Sequence, residues 1–327
     1  MKKVFLVGSL MLLLVGCGNK DSASNKSVSR VGTQKSEAAV ESQDSQAVVN
    51  TKVELINPGA EPRQELRFAP KVNQEQTVQM NMQMEMSMSL AGQTQPAFKS
   101  PQMQMTVEAK VTDVDENGDI HVDFSYTDAD VVADSNTSPE MAEAMRNQIK
   151  QMVGFKGSMI VDSMGNTKDV NFDLPESVDP NSKQMLEQML NSLKQLSSPV
   201  PAQAVGEGAK WQVDNTLTAN GITLDQVSTY EVESLQGDTV TLKTTVQQQA
   251  DPQKVSPPGL PPNASINLQS LNSQGEGTFT IKLDQILPTS ATMAITSDTQ
   301  MAVKQPDSQE EIPMGMNMVM NMSLQGQ

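Results

Sequence analysis

Twelve methionine thioethers fall on alternate positions of three stretches. Met80, Met82, Met84, Met86 and Met88 form the first, Met103 and Met105 the second, and Met314, Met316, Met318, Met320 and Met322 the third. On an extended strand, residues i and i+2 share a face about 6.6–7 Å apart, so each stretch presents a stripe of flexible, polarisable sulfur. Four uses compete. The default expectation is an ordinary core in which Met replaces Leu and aromatics. The stripe can instead line a face for a lipid or other apolar ligand, because unbranched Met adapts to irregular shapes. Thioethers are also soft ligands for Cu(I), with Met80, Met82 and Met84 as candidates. No Cys or His stands inside the clusters, however, and no metal site is assigned. Lastly, Met can absorb oxidant as the sulfoxide.

Other chemistry is sparse. Asp113-x-Asp115-x-Asn117-Gly118-Asp119 opens like a calcium loop, but Phe124 stands where the twelfth position needs a carboxylate. An Asn-Gly hairpin turn is the simpler expectation. His121, the only His, lies on the polar phase of a strand, flanked by Asp119 and Asp123. One His and one Cys exclude a His-based zinc site, a Ser-His-Asp triad with a spare His, and a disulfide within the chain. Gly206-Glu-Gly208 and Gly275-Glu-Gly277 stop short of a phosphate loop. Carboxylates suffice for a two-acid hydrolase, but sugar sites favour aromatic platforms and this chain has few aromatics. The chain is read as non-enzymatic, with no cofactor. A formal charge of −16 argues against nucleic acid as a partner, because phosphate recognition needs a basic footprint.

The N-terminus reads as an address. Lys2 and Lys3 precede an apolar run from Val4 to Val15, interrupted by Gly8 and Ser9. The run is too short to span a bilayer, which takes ~20 residues, and has the shape of a secretory signal. Leu14-Val15-Gly16-Cys17 resembles the bacterial lipobox. That resemblance implies cleavage after residue 16 and lipidation of Cys17, with the membrane as partner; two or more acyl chains hold stably. Gly18, rather than Asp, leans toward the outer membrane, facing the periplasm, if the cell has two membranes. Loss of residues 1–16 removes Lys2 and Lys3 and no acid, leaving a net charge of −18. Such a body is repelled by an anionic membrane, so the lipid must do the anchoring.

These groups need elements to position them. Residues 18–50 contain no Leu, Ile, Met, Phe, Tyr or Trp and cannot offset the entropy of ordering. A lipidated Cys with a disordered tether is therefore expected over 17–62. Period-two alternation then predicts strands through the three methionine stretches, with a turn at Asn117-Gly118 before Ile120, Val122, Phe124 and Tyr126. Helical spacing predicts a helix over 138–153, capped by Ser138 with Pro139 in its first turn. A second is expected from Pro180 to Leu196, with the stripe Met185, Leu186, Met189, Leu190, Leu193 and Leu196. Trp211, the only Trp, is expected to plug the core of the second half.

That second half repeats the first in outline. Gly118-Asp119 recurs as Gly237-Asp238, and Gly157-Ser-Met-Ile-Val as Gly277-Thr-Phe-Thr-Ile. The expected fold is mainly β, a β-rich α+β chain of about eleven antiparallel strands in meanders, with two helices in the first half. The expected organisation is a signal peptide (1–16), the tether (17–62), a first meander repeat (63–203) and a second (204–327), each half-barrel-like and able to share one sheet.

The lipobox, the polar tether, Leu66-Arg-Phe68, the following Met-rich strand and Val205-Gly-Glu-Gly-Ala-Lys-Trp211 together resemble a domain-of-unknown-function family of bacterial lipoproteins, over about residues 65–325. That resemblance implies no activity. The architecture is also similar to the half-barrel lipoprotein carriers of the bacterial envelope, an analogy of fold alone. The expectation is a membrane-anchored envelope lipoprotein that binds a protein partner or an apolar or lipid ligand. The alternatives are Cu(I) binding and a structural scaffold.

Overall fold

Strict alternation of apolar and polar residues over long stretches leaves the backbone one way to bury a face, as a sheet. A computed structural model describes residues 51–134, 137–173, 199–219, 221–255, 264–304 and 311–326. Cys17, the signal segment and the helix expected from Pro180 to Leu196 lie outside these residues. The first half contains β1 (Lys52–Asn57), β2 (Glu75–Leu90), β3 (Gln93–Thr94), β4 (Phe98–Lys99), β5 (Gln102–Val114), β6 (Ile120–Val132), α1 (Pro139–Ile149), β7 (Lys156–Val161) and β8 (Thr167–Asp173). The second contains β9 (Lys210–Ala219), β10 (Ile222–Gln236), β11 (Thr239–Ala250), β12 (Gln253–Val255), β13 (Ser265–Lys282), β14 (Ser290–Lys304) and β15 (Glu311–Gly326).

The protein is mainly β, with one large antiparallel sheet that does not close into a barrel. Its strand order is β1-β9-β10-β11-β13-β14-β15-β2-β5-β6-β7-β8. Both meanders therefore belong to one sheet, joined where β15 pairs with β2. Fifteen strands replace the expected eleven or so. The short β3, β4 and β12 pair beside the main path. Another addition corrects the tether boundary: residues 52–57 are not free chain but β1, the edge strand on β9, with Leu55 opposite Trp211. Its Lys and Glu residues hid it, and charged, short edges are how sheets avoid further pairing.

Local chemistry explains the turns. At the β5–β6 hairpin, Asp115 Oδ1 accepts the N–H groups of Asn117 (2.8 Å) and Asp119 (2.9 Å), and Gly118 takes φ 81°. Those donors, that of Asp119 first, hold the Asp115 carboxyl below its ordinary range. The loop's leading acid thus serves the turn itself. Ser138 Oγ caps α1 by accepting Met141 N–H at 3.2 Å. The helix buries Ala142 and leaves Met141 exposed. Arg146 ties it to β6 through Asp130 (2.6 Å) and the Val131 carbonyl (2.9 Å).

One face of the sheet is the inner one, because its two flanks meet across it. The segment 58–70 and the segment 199–209 cross this face at one end. Phe68 N–H donates to the Ser163 carbonyl (2.8 Å), Ala69 N–H to Leu283 (2.7 Å) and Val200 N–H to Met164 (2.9 Å). These bonds link the β7–β8 turn of one flank to the end of β13 on the other. Arg67 clamps the plug by donating to the carbonyls of Leu66 (2.6 Å) and Ala202 (2.8 Å). Close approach sets one residue type here: a Cβ on Gly206 would lie 1.8 Å from the Ala60 carbonyl oxygen. Beneath the plug is the main core, Leu66, Val205, Trp211, Val213, Val232 and Val240 among others. Trp211 is 1% exposed, stacks on Tyr230 at 5.4 Å and donates from Nε1 to the Pro199 carbonyl at 3.2 Å.

Candidate functional site: an uncharged methionine face

Register brings all three methionine stretches together. On β15 and β2, Met316 lies opposite Met88, Met318 opposite Met86, Met320 opposite Met84, and Met322 opposite Met82. On β2 and β5, Met80 faces Met105 and Met82 faces Met103. Strand β14 adds Met293 opposite Met322 and Met301 opposite Met314. Fourteen methionines thus share one face of four adjacent strands, and these last two were not among the sequence candidates. Their signal was weaker, because only one apolar-phase residue in each part of β14 is Met.

This is the inner face. One cross-strand row runs Met103–Met82–Met322–Met293–Gly277–Thr244–Tyr230–Trp211, from β5 to β9. The next runs Met84–Met320–Ile295–Gly275–Val246–Ser228–Val213. The third runs Met86–Met318–Ser297–Ser273–Gln248–Gln226–Asn215. None of these residues is charged. The alternate phase of β2 and β15 carries Asn81, Gln83, Glu85, Asn317 and Asn321, on the outer face. Glycine thins β13 under the methionines: a Cβ on Gly275 would meet Ile295 Cγ1 at 3.0 Å and Met293 Sδ at 3.4 Å.

The methionines are partly rather than fully buried. Each of the fourteen is half-buried. Among the described residues, the fully buried apolar set is Leu, Val, Ile, Ala, Trp and Tyr, with no Met. The plug covers the Trp211 end of the inner face, while most of the methionines lie on strands beyond it; Met301 packs against the second buried cluster, which includes Leu217, Leu224 and Leu268.

At the Trp211 end, the face opens into an apolar cavity of about 230 Å³, lined by Phe68, Met159, Val161, Trp211, Tyr230 and Phe279, among others. Met159 and Val161 come from β7 and the last three from β9, β10 and β13, so the cavity lies between the two flanks. An apolar cavity of ~150 Å³ already admits benzene.

Asn215 was also missed. It stands in the apolar phase of β9, after Trp211 and Val213 and before Leu217, and a polar residue in that phase is the signal that finds it. It is 4% exposed, and its Oδ1 has no hydrogen-bond partner. Nearby, Gln248 Nε2 donates to Gln226 Oε1 (2.7 Å) and Gln226 Nε2 to Ser228 Oγ (3.2 Å). His121 sits apart from this face, opposite Asp113 and Ile160. Among the described residues, no group of three or more His, Cys, Asp or Glu side chains could hold a metal ion. Comparison of the sequence with protein-family models and with curated proteins finds no match.

Proposed function

We propose that this protein is a lipid-anchored, non-enzymatic envelope lipoprotein that holds an apolar or lipid ligand against its methionine face. The observation that carries the reading is the placement of fourteen half-buried methionines on one uncharged face continuous with an apolar cavity. Met suits a surface that must adapt to chains of varied shape. The lipobox at Leu14–Cys17 supports the anchor, and Gly18 an outer-membrane address. Every described strand lies between Lys52 and Gly326, so the chain from residue 18 onward carries the whole sheet. That chain, purified without detergent, should retain lipid in native mass spectrometry and bind a fluorescent fatty-acid probe. A clean apo mass together with no probe binding would sink the reading.

Cu(I) is a second reading, favoured by one observation. Along β2, the backbones of Met80, Met82 and Met84 are about 6.6–7 Å apart from one to the next. Across strands, Met82 stands between Met322 and Met103, where paired Cβ atoms approach to about 4.5–5.5 Å. Leu at Met82, Met103 and Met322 keeps apolar volume, a swap that costs little stability, and removes the three thioethers closest across these strands. Under the lipid reading, this triple variant binds the probe within about twofold of the parent, and neither protein competes with a micromolar Cu(I) chelator. Loss of chelator competition in the variant alone would instead favour copper.

A further inference from the structure

We infer that the cavity beside Trp211 receives the methyl end of a hydrocarbon chain, so that the ligand is a single-chain amphiphile held tail-in and head-out. The inference rests on the methionine face being a ligand site and adds the class and direction of the molecule it takes. The cavity of about 230 Å³ has no charged side chain in its lining. A charged headgroup there would be desolvated without a partner, which is costly, whereas an alkyl end gains by leaving water. A cavity of ~150 Å³ admits the six carbons of benzene, so this one has room for roughly nine, the end of one chain rather than two.

An apolar path leads out of the cavity. Phe279, in its wall, lies opposite Ala291, Ala291 opposite Leu324, and Leu324 opposite Met80. All four are half-buried and uncharged, so this row is an open strip from the cavity to the first methionine of β2. One acyl chain reaches about 15 Å, half of the ~30 Å hydrocarbon core of a bilayer. Nine carbons are half of an eighteen-carbon chain, and the other half, about 7 Å, crosses β14 onto β15 at a strand spacing of about 4.8 Å. The polar head then emerges over the methionines of β15 and β2, where the face is open. The cavity is also held ready. Gln76 Oε1, from β2, accepts the N–H groups of Ile286 (2.9 Å) and Leu287 (3.1 Å), and Gln76 Nε2 donates to the Leu287 carbonyl (3.3 Å). Ile286 lines the cavity, so these bonds keep that wall from collapsing into the space.

Trp211 is the only Trp of the chain and stands in the cavity wall, so its emission reports what enters. Bromine quenches indole emission at close range. Three probes test the inference on the chain from residue 18 onward: octadecanoic acid brominated at its terminal carbon, the same acid brominated near its carboxyl group, and the unbrominated acid. All three should displace a fluorescent fatty-acid probe with affinities within about twofold of one another. At saturation, the terminal bromine should quench most of the Trp211 emission, and the bromine near the carboxyl group little of it. Equal quenching by the two, or stronger quenching from the carboxyl end, overturns the inference, because the chain then has no fixed direction or enters head first. Binding without quenching by either also overturns it and leaves the methionine site standing. Binding of none removes both.

Discussion

Trp211→Ala lowers the midpoint of thermal unfolding by roughly 6–15 °C. Truncating a buried Trp to Ala costs about 3–5 kcal/mol, and a chain of this size loses about 2–3 °C per kcal/mol. The site is at the severe end because three supports go together. The ring is 1% exposed, it stacks on Tyr230, and its Nε1–H is bonded to the Pro199 carbonyl in the plug. The alanine also enlarges a cavity that already holds about 230 Å³, and the surrounding strands are tied by the sheet and cannot collapse to fill it. Trp211→Phe retains the stacking and part of the volume and should recover about half of the loss. Circular dichroism melts of the three proteins measure this. A shift under about 3 °C for the alanine variant would mean that the plug, not the indole, carries the core.

A single carboxylate in the methionine face abolishes ligand binding. Met84→Asp places a charge opposite Met320, at the β2 end of a row with no cation. A chain laid over that position strips water from the carboxylate, a cost of several kcal/mol, and hence a loss of affinity of about 100-fold or more. Met84 is half-buried in the free protein, so the charge stays partly hydrated there and the fold survives with a small loss of stability. The control is Ser87→Asp on the same strand, in the alternate phase. It points to the outer face and should leave affinity within about twofold. Displacement of a fluorescent lipid probe reads both. Equal losses from the two substitutions would place the ligand elsewhere.

Much of this was legible in the sequence, in a specific way. Alternation along β2 and β15 identified both methionine strands, because period two is a local property. The Ser138 cap, the Asn117-Gly118 turn and the packing of Trp211 were legible for the same reason. Their assembly was not. Met82 and Met322 face each other across 240 residues of chain, and no local signal encodes that register. The partial burial of the methionines was not legible, because apolar alternation marks a face without saying what covers it. Residues 52–57 were assigned to the tether because Lys52-Val-Glu-Leu-Ile-Asn57 is charged and short, yet pairing with β9 needs only its backbone. Asn215 was passed over among many polar residues, although its phase set it apart.

The position of β15 carries a consequence for biogenesis. It follows every other strand in the chain and yet sits in the middle of the sheet, between β14 and β2. A polypeptide made N-terminus first therefore completes β2 long before its neighbour β15. Until β15 emerges, β2 offers a sixteen-residue open edge with a methionine at every second place from Met80 to Met88. Such edges recruit other chains, and long-range pairing is slow. The two halves can each form meanders during synthesis, but their union waits for the final strand. For this chain, the interval between synthesis of β2 and of β15 is the period in which an escort is most needed.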